Sequence, residues 1–411
     1  MSSSAGSILQ LVAKGEEDKL LSEAPEMSIF KSVYKRFTHF AEEVVDLPYN
    51  EGSKEFVSRK LTCTIPKRAD LLGKLYFDIE LPALTIPSGS TYVHWTNSLG
   101  FAMIKDVQIE IGGYVIDKHY GEWMYIWHEL VTKIPTNEDD PMTGGYSTVA
   151  GIKKNAEAVN HIRAPLYFWF CNNPALYLPL VALQYHEVKV SVTIRDFLEC
   201  VCYDGSTAPD RVEFLDMALT ANFVYLEENT RKNMAQSEHV FLIEQLQRSN
   251  YEGVKAGVEN VTMDLTLNHP IKELFWFFRE IDSEENNDWL NFTTRVPLYS
   301  LMYPLFTKVS MYLDGKERLS DFRENYFREA QKVAHHSMMS LDYGCIYSFS
   351  HTPEDHLQPS GSCNFSRISS AQMKFKMDTR SSVPATNFAL FGVNYNYLII
   401  KSGQANLFYK A

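Results

Sequence analysis

One pattern of apolar and polar residues occurs twice in this sequence. Residues 107–127 read VQIEIGGYVIDKHYGEWMYIW, and residues 309–329 read VSMYLDGKERLSDFRENYFRE. Each copy begins with alternating apolar and polar residues, which predict a half-buried β-strand, and then passes through a glycine turn to an aromatic-bearing helix start. The matched positions are Val107 with Val309, Ile109 with Met311, Ile111 with Leu313, and Gly113 with Gly315. The two halves of the chain are therefore predicted to share a local structure.

Two further blocks repeat in the same order. LTCTIPKRADLLGKLYFDIE (61–80) is similar to MDLTLNHPIKELFWFFREI (263–281), and LTANFVYLE (219–227) is similar to GVNYNYLIIK (392–401). Each match is weak by itself, but three blocks in a common order, offset by roughly 170 to 200 residues, indicate one β unit used twice.

A β unit of this length has to hide the edges of its strands, and a two-sheet sandwich with Greek-key connections does so. We therefore predict an all-β double jelly roll: two tandem eight-stranded antiparallel β-sandwiches with a few short helices in loops. The predicted helices are Trp123–Leu130, Asn229–Gln236 and Arg323–Val333. The predicted units are an N-terminal arm (1–24), jelly roll 1 (25–228), a linker (229–238) and jelly roll 2 (239–411).

Residues 168–190, FWFCNNPALYLPLVALQYHEVKV, form the most apolar stretch. Pro174 and Pro179 interrupt it too early for a membrane-spanning helix. We predict two strands around a corner at Asn172, Asn173 and Pro174. The side chains predicted to share one buried face are Phe168, Phe170, Tyr185, Val188 and Val190. The preceding connection, Ile134–Ala164, shows little periodicity and is predicted to be a long displayed loop.

Composition excludes several classes of protein. The 411 residues are 45% apolar and 13% aromatic, which provides ample material for packed cores. The formal net charge of −12 argues against direct binding of nucleic-acid phosphates. Met1–Gln10 has neither the basic head nor the apolar run of a secretory signal, so we expect a soluble, uncleaved chain whose six cysteines stay reduced.

Motifs for nucleophile, metal or phosphate chemistry do not occur, and we predict no catalytic residue, cofactor or metal site. The best candidate for a metal site is a group of histidines and acids in the second half: His335, His336, His351, Glu354, Asp355 and His356. Adjacent histidines on an extended segment point in opposite directions, and the remaining members lie in a Pro- and Ser-rich loop, so a structural role is the favoured interpretation.

Three N-x-[ST] sequons occur, at Asn260, Asn291 and Asn364. They are possible glycosylation sites. Without a secretory signal the usual glycosylation machinery would not meet them, so chance occurrence is the favoured interpretation.

Several segments in order along the chain resemble the major capsid proteins of the nucleo-cytoplasmic large DNA viruses, the group that includes iridoviruses, phycodnaviruses and mimivirus relatives. The segments are ILQLVAKGEEDKLL (8–21), FKSVYKRFTHFA (30–41), PLYFWFCNNPALYLPLVALQYHEVKV (165–190), NMAQSEHVFLIEQLQ (233–247), NHPIKELFW (268–276), QPSGSCNFSRI (358–368) and FGVNYNYLIIKSGQANLFY (391–409). The likeness covers nearly the whole chain, and none of these segments is a generic motif.

The resemblance implies a structural virion protein that self-assembles into pseudo-hexameric homotrimers and tiles an icosahedral shell. It implies contacts with neighbouring capsomers and, through the N-terminal arm, with minor capsid proteins or an internal membrane layer. Synthesis and assembly would take place in the host cytoplasm. The alternatives are a transient assembly scaffold or a minor capsid protein of the same fold and, more distantly, a carbohydrate-binding sandwich, because jelly rolls also serve as lectins.

Overall fold

The computed structural model describes residues 13–132, 139–249, 252–294, 303–338, 344–379 and 384–409. Within these ranges, the alternating segments of the first half form β-strands. The first-half strands are β1 (Phe40–Leu47), β2 (Arg59–Thr64), β3 (Leu71–Leu81), β4 (Val93–Trp95), β5 (Ile104–Ile111), β6 (Tyr114–Tyr120), β7 (Asn160–Pro165), β8 (Leu178–Pro179), β9 (Val188–Ile194), β10 (Val201–Tyr203) and β11 (Asp216–Leu226).

The second half is built in the same way. Its strands are β12 (His239–Arg248), β13 (Glu252–Val254), β14 (Asn260–Asp264), β15 (Pro270–Glu280), β16 (Phe306–Leu313), β17 (Lys316–Arg323), β18 (Cys345–Ser348), β19 (Cys363–Asn364), β20 (Ala371–Met377), β21 (Thr386–Lys401) and β22 (Gln404–Leu407).

The helices are short and lie in the connections. They are α1 (Lys19–Ser22), α2 (Leu99–Ala102), α3 (Gly121–Val131), α4 (Val149–Ala156), α5 (Trp169–Asn172), α6 (Glu228–Gln236), α7 (Ile281–Glu285) and α8 (Gln331–His335). A π-helical turn, Tyr326–Ala330, runs directly into α8. The predicted helices at 123–130 and 229–236 are confirmed as α3 and α6, and the one at 323–333 as this π-turn with α8.

Strand order identifies each half as a jelly roll. The first roll has one sheet in the order β1-β11-β3-β7, with β8 beside β3, and a second sheet in the order β2-β9-β5-β6. The second roll has the orders β12-β21-β15-β18 and β14-β20-β16-β17. Both rolls thus have two four-stranded main sheets with equivalent connectivity, which confirms the predicted double jelly roll.

The three repeated sequence blocks occupy equivalent places. β5 and β16 lie third in their sheets, β3 and β15 lie third in theirs, and β11 and β21 lie second. The turns after β5 and β16 need a backbone that glycine adopts without strain, since φ is +83° at Gly113 and +71° at Gly315. The common order of the blocks therefore reflects a common topology.

Residues 168–190 correct one prediction. Phe168, Phe170, Val188 and Val190 are buried as expected, but Tyr185 is 72% exposed. The segment forms helix α5, two 3₁₀ turns and the two-residue strand β8 before β9 begins, and not two strands around a corner. The reason is local: the Asn173 side chain accepts a hydrogen bond from the Ala175 amide and starts a 3₁₀ turn at Pro174.

The predicted long loop at 134–164 is also wrong in part. Residues 134–138 lie outside the described residues, but the remainder contains helix α4 and most of strand β7. β7 pairs with β3 along its full length. Only Ile162 and Ala164 are buried in this strand, and Arg163 between them forms an ion pair with Asp78 of β3, so the apolar repeat is too short to predict the strand.

The chain before Phe40 forms a unit of its own. Its described residues, 13–39, contain the single short helix α1. None of the helices in the described ranges combines the length and apolar character that crossing a membrane requires.

Candidate functional site

Helix α3 of the first roll lies against the second roll. Its indole rings contact the ring of Phe275 on β15, with ring centroids 6.1 Å apart for Trp123 and 6.0 Å apart for Trp127. Tyr120, just before the helix, contacts Phe391 of β21 at 5.6 Å. We call this contact region between the two rolls the seam.

The seam is part of one continuous apolar core. The core cluster of the first roll includes second-roll side chains from the outward face of the sheet that contains β15. Among them are Phe275, Phe277, Phe391 and Leu398, each no more than 1% exposed. Each such side chain contributes roughly 1.5–3 kcal/mol when fully buried, so apolar burial is the main force that joins the rolls.

A β-bulge places two adjacent charged residues in the seam. Ile271 pairs with Asn394 and Glu273 pairs with Val393, so Lys272 is an extra residue in β15. A bulge breaks the strict alternation of side chains. Lys272 and Glu273 are both fully buried, and both have partners on the face of the sheet toward Trp127.

The Lys272 ammonium is held by oxygen acceptors and an aromatic face. It forms an ion pair with Glu244 of β12 and donates a hydrogen bond to the Pro353 carbonyl at 2.8 Å. It also lies 5.8 Å from the ring centroid of Trp127. Glu244 has a second partner in His356, at 3.0 Å. Burial would raise the pKa of Glu244, but the attraction of Lys272 and His356 is stronger and lowers that pKa to about 2.

Glu273 has a buried histidine as its partner. Nε2 of His336 lies 2.8 Å from Glu273 Oε1, and Nδ1 lies 3.3 Å from Glu354 Oε1. Burial would lower the pKa of His336, but the two carboxylates outweigh burial and raise that pKa to about 9. The ring of this imidazolium lies 5.8 Å from that of Trp127. Lys272, His336 and His356 thus surround Trp127 with cationic or basic groups.

A second buried ionic group ties the N-terminus of α3 to β15. Glu122 accepts from Arg195 of the first roll at 2.9 Å and from Arg279 of the second roll at 3.4 Å. Burial would raise the pKa of Glu122, but both guanidinium groups lower it. Trp289 lies under these cations, 4.0 Å from Arg195 and 5.2 Å from Arg279. An acidic side chain in the first turn of a helix also suits the helix dipole.

The arrangement fixes two bodies in one relative position. Its charged groups are paired with one another, and it holds helix α3 at Glu122 and again at Trp127. Leaving one member of a buried ion pair without its partner costs several kcal/mol, so the pairs disfavour any sliding of the rolls. Within the described ranges, no group of three or more His, Cys, Asp or Glu side chains is placed to hold a metal ion.

The histidines considered from sequence do not form one site. His335 faces the carbonyl of His351 at 3.3 Å, whereas His336 faces Glu273. Glu354 joins His336, and His356 joins Glu244. The Asp355 side chain accepts from the backbone amides of Leu357 and Gln358 in its own loop.

The sequon asparagines and the cysteines are not among the seam residues named above, although the Cys202 thiol of the first roll donates to the Asn286 carbonyl of the second at 3.5 Å. Asn260 and Asn364 are exposed on β14 and β19, whereas Asn291 is partly buried and donates to Asp288 at 2.8 Å. All six cysteines are free thiols. Burial raises the pKa of Cys63 and of Cys171 to about 12, which suits inert core residues.

Sequence reasoning missed the seam residues. The signal was present in PIKELFWFFRE (270–280), where four charged residues lie within a strand that is otherwise almost entirely apolar. The loss of alternation indicates a strand covered on both faces, and the charged residues within such a strand need buried partners. Their partners Glu122, Glu244 and His336 are far away in sequence and could not be identified from the pattern.

Comparison with known proteins gives two family models that together match nearly the whole chain. "Major capsid protein N-terminus" matches residues 28–227, and "Large eukaryotic DNA virus major capsid protein" matches residues 230–406. The chain is 32% identical to the major capsid protein of Pyramimonas orientalis virus, covering 98% of this chain and 99% of that protein. It is 29% identical to the major capsid protein of Paramecium bursaria Chlorella virus 1, with the same coverage of both chains.

Solved structures agree with the strand topology. A capsid chain in the quasi-atomic model of the PBCV-1 virus capsid is similar at a TM-score of 0.77 and 25% identity, covering 93% of this chain and all of that one. The Faustovirus major capsid protein is similar in fold at a TM-score of 0.73 and 14% identity, covering 92% of this chain and 94% of that one.

Proposed function

This chain belongs to the family of major capsid proteins of large eukaryotic DNA viruses and has their structural role in the capsid, and we propose that three copies form a pseudo-hexagonal capsomer. The observation that carries the proposal is the pair of equivalent eight-stranded rolls in one chain. Three chains with two rolls each supply six similar sandwiches around a closed three-fold axis. Such capsomers tile an icosahedral shell.

The seam supports this proposal physically. A capsomer with a six-sided outline needs the two rolls of each chain at a fixed distance and angle. A hinge between the rolls would let the edges that contact neighbouring capsomers change position. Trp123 and Trp127 on Phe275, flanked by two buried ionic groups, supply that fixation. A purely apolar contact would be as strong but less specific in its register.

The proposal also covers the parts of the chain outside the rolls. The arm, 1–24, faces inward and contacts minor capsid proteins or an internal membrane layer. The domain of jelly roll 1 spans 25–228, including the segment that precedes its first strand at Phe40; the linker spans 229–238 and jelly roll 2 spans 239–411. The chain has no catalytic activity and no direct contact with nucleic acid, consistent with its net charge of −12. It is made and assembled in the host cytoplasm.

Sedimentation velocity of the purified chain, combined with negative-stain imaging, tests the capsomer. We expect a particle of three chains with a six-sided outline. A monomer at every concentration tested, up to tens of micromolar, would contradict the proposal. Deleting residues 2–20 should leave this particle intact and impair assembly of complete shells; loss of the trimer on this deletion would contradict the role given to the arm.

A further inference from the structure

Residues 27–39, MSIFKSVYKRFTH, carry large apolar side chains that lie in solvent. We call this the exposed segment. Its exposed fractions are 81% for Ile29, 94% for Phe30, 78% for Val33, 85% for Tyr34 and 83% for Phe37. The described chain has neither helix nor strand from Glu23 to His39.

The size of this apolar surface indicates a missing partner. A phenylalanine or tyrosine buries about 150–250 Å² when covered, so its three aromatic residues alone offer roughly 450–750 Å². A specific protein interface buries about 800 Å² on each partner. Five large apolar side chains exposed within nine residues, 29–37, are typical of an interaction site, whereas single exposed apolar residues are ordinary.

Its charge defines the chemistry of the partner. The segment contains Lys31, Lys35 and Arg36 and no acidic residue, whereas the whole chain has a net charge of −12. Phe30, Tyr34 and Phe37 recur at helical spacing, which would place them on one face with the basic residues beside them. The complementary surface is therefore both apolar and acidic.

We propose that the exposed segment of one chain packs onto a second copy of the same chain and helps to hold the capsomer together. This inference rests on the proposed trimer and assigns to it an exchanged element. The whole chain has a net charge of −12 and the segment contributes +3, so the remainder of a second copy carries −15 and attracts the basic segment. The family model for the N-terminal half begins at residue 28 and so includes nearly the whole segment. Capsid proteins assemble with other copies of themselves, so a second copy is the partner available to this segment in every member of the family.

The first test replaces the aromatic side chains. The variant Phe30→Ser/Tyr34→Ser/Phe37→Ser is compared with a matched control in the same segment, Ser28→Ala/Ser32→Ala/Thr38→Ala. We expect the aromatic variant to associate about 100-fold more weakly in sedimentation equilibrium, since aromatic residues dominate interface energies, and the control to behave as wild type. Circular dichroism and the thermal midpoint of the separated chain report whether the variant still folds.

The second test identifies the partner and remains informative if the triple variant does not fold. A photo-reactive benzoylphenylalanine replaces Phe30 in a mixture of ¹⁴N- and ¹⁵N-labelled chains, and mass spectrometry then separates crosslinks between chains from those within one chain. Mixed-isotope crosslinks are expected. Crosslinks only within one chain, or none in a sample that is trimeric, would overturn the inference.

A lipid surface is the competing partner, because basic amphipathic segments also bind anionic membranes. Wild-type trimer is sedimented with vesicles of phosphatidylcholine and phosphatidylserine. If the aromatic variant stays trimeric but loses vesicle binding, the exposed segment binds lipid and the inference is wrong, while the proposed capsomer stands. If the wild-type chain is itself monomeric, the proposed capsomer and this inference both fall.

Discussion

Strands β3 and β15 occupy the same place in the two rolls but have different surroundings. Each has eleven residues and lies third in the sheet that begins with the first strand of its roll. Their inward side chains are alike and almost fully buried: Leu75, Phe77 and Ile79 in β3, and Leu274, Trp276 and Phe278 in β15. Their outward side chains differ: Lys74, Tyr76, Asp78 and Glu80 in β3, and Glu273, Phe275, Phe277 and Arg279 in β15.

The jelly-roll fold determines the inward face of each strand, whereas the neighbouring elements determine its outward face. From Ile271 to Glu280, β15 is buried at every position because α3 of the first roll covers the outward face. In β3 the outward positions Lys74 and Tyr76 retain contact with solvent. A strand that is covered on both faces loses polar alternation, and each charge left in it needs a buried partner.

The largest effect should come from removing an outward aromatic side chain. Phe275→Ala should lower the free energy of unfolding by about 3–5 kcal/mol, because the cavity would open beneath Trp123 and Trp127. Tyr76→Ala, the corresponding outward change in β3, should cost about 1 kcal/mol because the side chain is only partly buried. Urea unfolding followed by tryptophan fluorescence measures both; equal losses would contradict the comparison.

The second-largest effect should come from substituting a charged residue, and the loss of stability should be greater in β15 than in β3. Lys272→Met leaves Glu244 buried without its ammonium partner and should cost about 3 kcal/mol. Lys74→Met, on the exposed side of β3, should change stability by less than about 0.5 kcal/mol. A loss for Lys272→Met that is as small as that for Lys74→Met would show that His356 alone can compensate the buried Glu244 carboxylate.

Stability should depend on pH through His336. Its pKa is raised from 6.5 to about 9 in the folded chain, so its contribution is complete below pH 6.5 and is lost as the pH rises through about 9. This rise in pKa corresponds to a loss of about 3 kcal/mol. His336→Gln should be less stable near pH 6 and should flatten the curve between pH 6.5 and 9. Urea titrations at several pH values measure this; an unchanged slope in the variant would assign the dependence to other groups.

The smallest effect should be equal in the two rolls. Gly113→Ala and Gly315→Ala place a side chain at positive φ in the equivalent turns after β5 and β16, where no atom lies within 4 Å of the new Cβ. Only backbone strain remains, so each change should cost about 1 kcal/mol. Thermal unfolding of the two variants, with Gly52→Ala as a control at ordinary φ and in open space, measures it. Unequal losses would show that the two turns are not equivalent.

The strand pattern and its repetition could be predicted from the amino-acid sequence alone. Alternation in β5 and β16 and the glycine turns after them depend only on local preferences, and the order of the three blocks conveyed the topology. The resemblance was likewise visible in segments such as FKSVYKRFTHFA (30–41). Local signals failed at residues 168–190, where an asparagine side chain and two prolines favour short helical turns over strands.

The contact between the two rolls depends on long-range pairings that no local sequence pattern reveals. Glu122, Glu244 and His336 have no local feature that pairs them with Arg279, Lys272 and Glu273, because ion pairs form between residues that folding brings together from distant parts of the chain. The bulge at Lys272 is likewise a property of strand register. Alternation of apolar residues is a local consequence of strand geometry, whereas the choice of what covers the second face of a strand is a long-range one.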